Sequence, residues 1–174
     1  MIEIRLHGLG GQGVVTCAEL IAIAAFTQGL QAQAFPFFGV ERTGTPVTSY
    51  VRLDTQPIKI RQQIYQPHWL IILNDKTLSQ AETKAGLTKA TQVIINSKQT
   101  IKDLAKQLKI KPSQITALDL SAQPYINTAI LGVWAKQSGL IKLTALQQAI
   151  SDKLTGKDPK IIKANLTTLT QTYD

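Results

Sequence analysis

The chain of 174 residues is poor in the residues that hold metals and close disulfides: it has one cysteine, Cys17, and two histidines, His7 and His68. A lone cysteine forms no internal bridge, which points to a cytoplasmic setting. An iron–sulfur cluster takes about four thiolates, so this chain holds none by itself, and two histidines make a His-rich metal site a poor fit. Long apolar runs are also missing. No stretch reaches the ~18–20 residues that span a bilayer, and the opening "MIEIRLHG" has neither the basic nor the apolar region of a signal peptide. Acids are scarce in one informative place, since none occurs between Glu19 and Glu41. Hydrophobic residues at 44% and charged residues at 17% are those of a globular domain, and the length fits one domain spanning residues 1–174.

The net charge of +8 is unevenly spread: every lysine lies after residue 57. These lysines are scattered rather than clustered and have little aromatic interleaving, which suits solvated helix faces. No nucleic-acid reading motif accompanies them, so neither nucleic acid nor membrane is an expected partner.

Ile2, Ile4 and Leu6 alternate with Glu3, Arg5 and His7, the period of a strand, and the glycines that follow form its exit turn. Val14–Gln28 reads as a buried helix with Gly29 at its C-terminal stop. Residues 30–35 and 47–53 read as strands, and 57–60 ("PIKI") as a further strand in a hairpin with 47–53 across the turn at Asp54–Pro57. The apolar runs 68–74 and 91–97 suit central strands buried on both faces. A short helix falls at 76–86, another at 101–108, and a last strand at 115–120. Residues 125–173 are helical in three pieces broken near Gly139 and Gly156–Pro159. Strands alternating with helices predict an α/β, Rossmann-like three-layer sandwich: a mostly parallel sheet with a β-hairpin and a helical C-terminal end.

Two segments carry candidate chemistry. Gly8, Gly10, Gly11, Gln12 and Gly13 lie in "GLGGQG", where a strand passes into a helix. Glycine backbone lets a ligand approach closely, and the helix start favours an anion such as phosphate, pyrophosphate or carboxylate. A tight turn that packs helix onto strand is the plainer reading, and the turn alone leaves both open. A dinucleotide site requires in addition an acid about 20 residues on, at the end of the second strand. Here that region reads "QAQAFPFFG", so the fingerprint is incomplete; no Gly-Lys-Ser/Thr of a Walker loop follows either. The second segment is "FPFFGVERTGTPVTSYVR", which holds Phe35, Phe37 and Phe38, then Glu41, Arg42, Thr43 and Gly44. The phenylalanines plug a core or meet a partner surface. Arg42 suits a carboxylate or phosphate, with a local Glu41–Arg42 surface pair as the plainer alternative. His7 stands beside the glycine turn, yet a satisfied strand-end histidine is the simpler expectation. Cys17 reads as a small core residue, and Trp69 and Trp134 as core or interface.

These motifs together resemble the gamma subunit, or gamma domain, of 2-oxoacid:ferredoxin oxidoreductases of the pyruvate and ketoisovalerate group. The glycine turn with Gln12, the loop carrying Pro36, Gly39, Glu41, Gly44 and Val47, and the tail "NTAILG" (Asn127–Gly132) with Asn165 all match the family pattern. Thr43 departs from it, standing where members often carry a second basic residue. The resemblance implies a complex in which a 2-oxoacid is oxidatively decarboxylated, the acyl group passes to coenzyme A and the electrons to ferredoxin. This chain would then be a non-redox subunit with no catalytic residue of its own. Thiamine diphosphate, magnesium and 4Fe–4S clusters would reside on partner alpha and beta subunits, with a delta subunit a further candidate. Gly8, Gly10, Gly11, Gln12, Gly13, Glu41, Arg42, Thr43 and Gly44 would face coenzyme A, another anion or a partner loop. The alternative is a free-standing nucleotide- or coenzyme A-binding α/β domain.

Overall fold

A computed structural model describes residues 1–37 and 44–174. The chain order is β1 (Ile2–Leu9), α1 (Val14–Thr27), β2 (Gln31–Phe37), β3 (Pro46–Asp54) and β4 (Trp69–Ile72). A 3-10 turn (Asp75–Ser79) and the four-residue α2 (Ala81–Lys84) follow. Next come β5 (Gln92–Asn96), α3 (Ile101–Leu108), β6 (Ile115–Leu118), α4 (Ile126–Ser138), α5 (Leu143–Lys153) and α6 (Pro159–Tyr173). The strands form one sheet in the order β2-β3-β1-β4-β5-β6. Strands β1, β4, β5 and β6 pair in parallel, while β3 runs antiparallel to both β1 and β2.

Alternation sorts the sheet into two faces. Ile4, Leu6, Val51, Ile71 and Ile94 pack with α1, α4 and α5 in one buried cluster. Leu70, Ile72, Val93 and Ile95 pack with α3 in another. Leu70, Ile71 and Ile72 are fully buried, as a central strand covered on both sides requires. Around the C-terminal helices, Asp158 caps α6 by accepting the Lys160 amide at 2.8 Å, with Pro159 in the first turn.

Two expectations are corrected. Residues 57–60 form no strand and no hairpin with β3. β1 occupies one edge of β3 from Leu53 to Pro46, and β2 occupies the other from Asp54 to Thr48, so neither edge is left to pair. The hairpin is β2–β3. The single helix expected at 76–86 is instead the 3-10 turn plus α2. The topology also removes the geometric basis of a dinucleotide site: β2 lies beyond β3 rather than beside β1, so its end is not where a ribose would sit.

Candidate functional site

The glycine turn closes on itself through Gln12. Its side-chain Oε1 accepts the Leu9 amide at 2.8 Å, and its own amide donates to the Leu9 carbonyl at 3.0 Å. Gly8 brings β1 against the start of α1: a Cβ there would lie 2.6 Å from Val14 Cγ2 and 3.1 Å from Leu73 Cβ. Gly13, at φ 76°, begins α1 in the left-handed region, and a Cβ would lie 2.7 Å from Asn127 Nδ2. The packing reading of these glycines is therefore physically real at Gly8 and Gly13.

The turn also meets the second motif. The Gly10 amide donates to the Thr45 carbonyl at 2.8 Å, and the Gly44 amide to the Gly10 carbonyl at 3.2 Å. Gly8, Gly10, Gly11, Gln12, Gly13 and Gly44 are thus brought together. Glu41, Arg42 and Thr43, with Phe38, lie outside the described residues. Because the Gly10 and Gln12 amides are engaged internally, the donors left to face a ligand are those of Gly11, Gly13 and the first turn of α1.

What the sequence reading did not supply is the opposite wall. Gly11, Gln12 and Gly13 line a cleft of about 340 Å³ with Gln123, Pro124, Tyr125, Ile126 and Asn127. Two helix N-termini, those of α1 and α4, open onto it. Neither has a side-chain cap or an acid in its first turn, and among the described residues no carboxylate lines the cleft. Both helix dipoles and their unbonded first-turn amides favour an anion there. The signal for this wall was present in the tail motif. Asn127 packs on Gly13, and Thr128 Oγ1 lies 2.6 Å from Asn165 Oδ1, tying α4 to α6. Gly132 has no room for a side chain beside Thr172 and the Leu169 carbonyl. These residues hold the start of α4 against the glycine turn.

His7 does not line this cleft. It projects from the other side of β1, with Nδ1 3.1 Å from Thr48 Oγ1 and 3.4 Å from Thr83 Oγ1. Burial first, and the Arg5 charge second, lower its pKa to about 3, so the ring is neutral. His68 Nδ1 accepts the Glu3 amide at 3.0 Å, a satisfied strand-end histidine. Cys17 is fully buried on α1, and burial pushes its thiol far above the ordinary range. Trp69 and Trp134 meet edge to face at 6.5 Å in the core. Phe35 is half-buried, stacked on Tyr50 at 5.1 Å and covered by the Arg52 guanidinium, whereas Phe37 is exposed. Among the described residues, no group of three or more His, Cys, Asp and Glu side chains comes together as a metal site, and no helix is long and apolar enough to cross a membrane.

Residues 3–174 match the family described as pyruvate ferredoxin/flavodoxin oxidoreductase. The pyruvate/ketoisovalerate oxidoreductases common subunit gamma of Thermococcus kodakarensis is 45% identical over 163 residues, covering 90% of this chain and 88% of that one. The pyruvate synthase subunit PorC of Methanocaldococcus jannaschii is 41% identical over 157 residues, covering 90% and 88%. The crystal structure of pyruvate oxidoreductase subunit PORC from Thermotoga maritima superimposes with a TM-score of 0.83 at 25% identity, covering 99% of this chain and 94% of that one.

Proposed function

The chain belongs to the pyruvate ferredoxin/flavodoxin oxidoreductase family and is a gamma-type subunit of a 2-oxoacid:ferredoxin oxidoreductase; on that premise we propose that its glycine-turn cleft holds an anionic group of coenzyme A. One observation carries this reading: two uncapped helix N-termini and the Gly11–Gly13 backbone converge on a cleft that, among the described residues, no carboxylate lines. Gly44, which follows Glu41, Arg42 and Thr43 in the sequence, is bonded to Gly10, which supports giving Arg42 a second contact with the same ligand or with a partner subunit.

In this reading the chain acts as one domain in the cytoplasm and binds rather than reacts. Its single cysteine cannot by itself ligate a cluster, and the family resemblance implies that thiamine diphosphate, magnesium and 4Fe–4S clusters belong to alpha and beta subunits, with a delta subunit as a further member. Those cofactors supply the decarboxylation of the 2-oxoacid and pass two electrons to ferredoxin, while coenzyme A takes the acyl group. The contribution of this chain is to orient coenzyme A through backbone amides and helix ends. Reconstitution tests the assignment. A complex purified without this chain should form acyl-coenzyme A poorly and recover when the chain is added, while the chain alone is inactive. Full coenzyme A-dependent turnover without it would overturn the reading.

A further inference from the structure

A second cavity, about 490 Å³, lies against the antiparallel half of the sheet, on the face opposite α1. Two arginines are buried on this face, and they differ in one respect. Arg52 is fully engaged: Nε meets Glu3 Oε1 at 2.9 Å, Nη1 meets Gln33 Oε1 at 3.1 Å, and Nη2 donates to the Gln62 carbonyl at 2.7 Å. Arg5, 4% exposed, makes no ion pair among the described residues. It donates only to backbone carbonyls, those of Ala85 at 2.6 Å, Thr83 at 3.3 Å, Ile64 at 3.4 Å and Tyr65 at 3.5 Å, and its Nε has no partner. Beside it, His7 is 3% exposed, and its Nε2 also has no partner. In the tautomer in which a threonine hydroxyl donates to Nδ1, the neutral ring carries its proton on Nε2 and is a donor there.

A buried guanidinium without a counter-charge is costly, and carbonyl oxygens solvate it without neutralising it. Glu82, the one acid among the described residues of the cavity wall, is exposed and makes no ion pair with Arg5. The rest of the lining is largely apolar and aromatic, with Phe37, Ile64, Tyr50 and Tyr65, and the volume is that of a small-molecule site. We propose that this cavity binds a small monocarboxylate with an apolar body, the carboxylate at the end of the cavity that Arg5 and His7 line and the body against the aromatic rim. One cation and one neutral donor match a singly charged head better than a phosphate. The site is separate from the glycine-turn cleft and does not depend on the coenzyme A reading.

Titration of the full chain with phenylacetate, and with phenylacetamide as the neutral isostere, followed by amide NMR, tests this. Saturable shifts at Thr48, Tyr65, Thr83 and Ala85 are expected with the acid, and binding at least tenfold weaker with the amide. Arg5→Met should abolish the preference for the acid. Because Arg5 also anchors four carbonyls, Tyr65→Ala at the exposed rim serves as a second variant, weakening the acid several-fold in a chain that stays folded. The absence of saturable shifts at millimolar acid, shifts confined to Gly11–Gly13, or equal binding of acid and amide would each overturn the proposal.

Discussion

Gly13→Ala perturbs the turn in two ways that can be measured apart. The residue sits at φ 76°, and its Cβ would meet Asn127 Nδ2 at 2.7 Å. The left-handed backbone alone costs an L-residue about 1–2 kcal/mol. Displacing a packed side chain adds about 1–3 kcal/mol, so the whole loss is about 2–5 kcal/mol. Gly29→Ala is the internal control. Gly29 sits at φ 82° past the end of α1, where its amide and that of Leu30 close the helix on Phe26 and Ala25, and a Cβ there meets nothing within 4 Å. It should lose only the backbone component. Urea unfolding followed by the fluorescence of buried Trp134 gives both values, and the double substitution Gly13→Ala/Asn127→Ala should recover the packing component as a coupling energy. Equal losses at Gly13 and Gly29, or no coupling with Asn127, would refute the claim that the start of α4 is seated on the glycine turn.

Stability should fall as the pH drops below His7's unfolded pKa of about 6.5, continuing until its folded value of about 3. The folded state resists the proton that the unfolded chain accepts, so the loss grows by up to about 1.4 kcal/mol per pH unit in that window and is absent above it; His7→Gln should flatten this slope in pH-dependent urea titrations. Cys17 should resist a thiol reagent in the native chain and react at the rate of global unfolding, because it is fully buried and its thiol is held protonated; rapid native labelling would contradict its placement.

The strand–turn–helix unit was legible because local spacing alone dictates it: Ile4 and Leu6 share one face, and glycines sit where Val14 and Asn127 approach. The central strands were legible from unbroken apolar runs. The hairpin partner was not, because 57–60 has a strand-like pattern and only the three-dimensional sheet shows that β1 and β2 already fill both edges of β3. The cleft was half legible. Its glycine wall is contiguous in sequence, but the wall at 123–127 arrives more than a hundred residues later, and nothing local pairs Asn127 with Gly13. Arg5 and His7 read as the polar side of an alternating strand. Their burial depends on Thr83 and the 62–65 segment folding over that face, which spacing within β1 cannot reveal.

The central claim concerns an anion at the junction of two helix ends, and Asn127→Asp tests it with little change of shape. At the second position of α4 a carboxylate favours the helix by about 0.3–1 kcal/mol, so folding should survive while the cleft gains a negative charge. In the assembled complex, the account predicts that KM for coenzyme A rises about tenfold, equivalent to about 1.4 kcal/mol, with KM for the 2-oxoacid unchanged. An unaltered KM for coenzyme A in a fully assembled Asn127→Asp complex would contradict it.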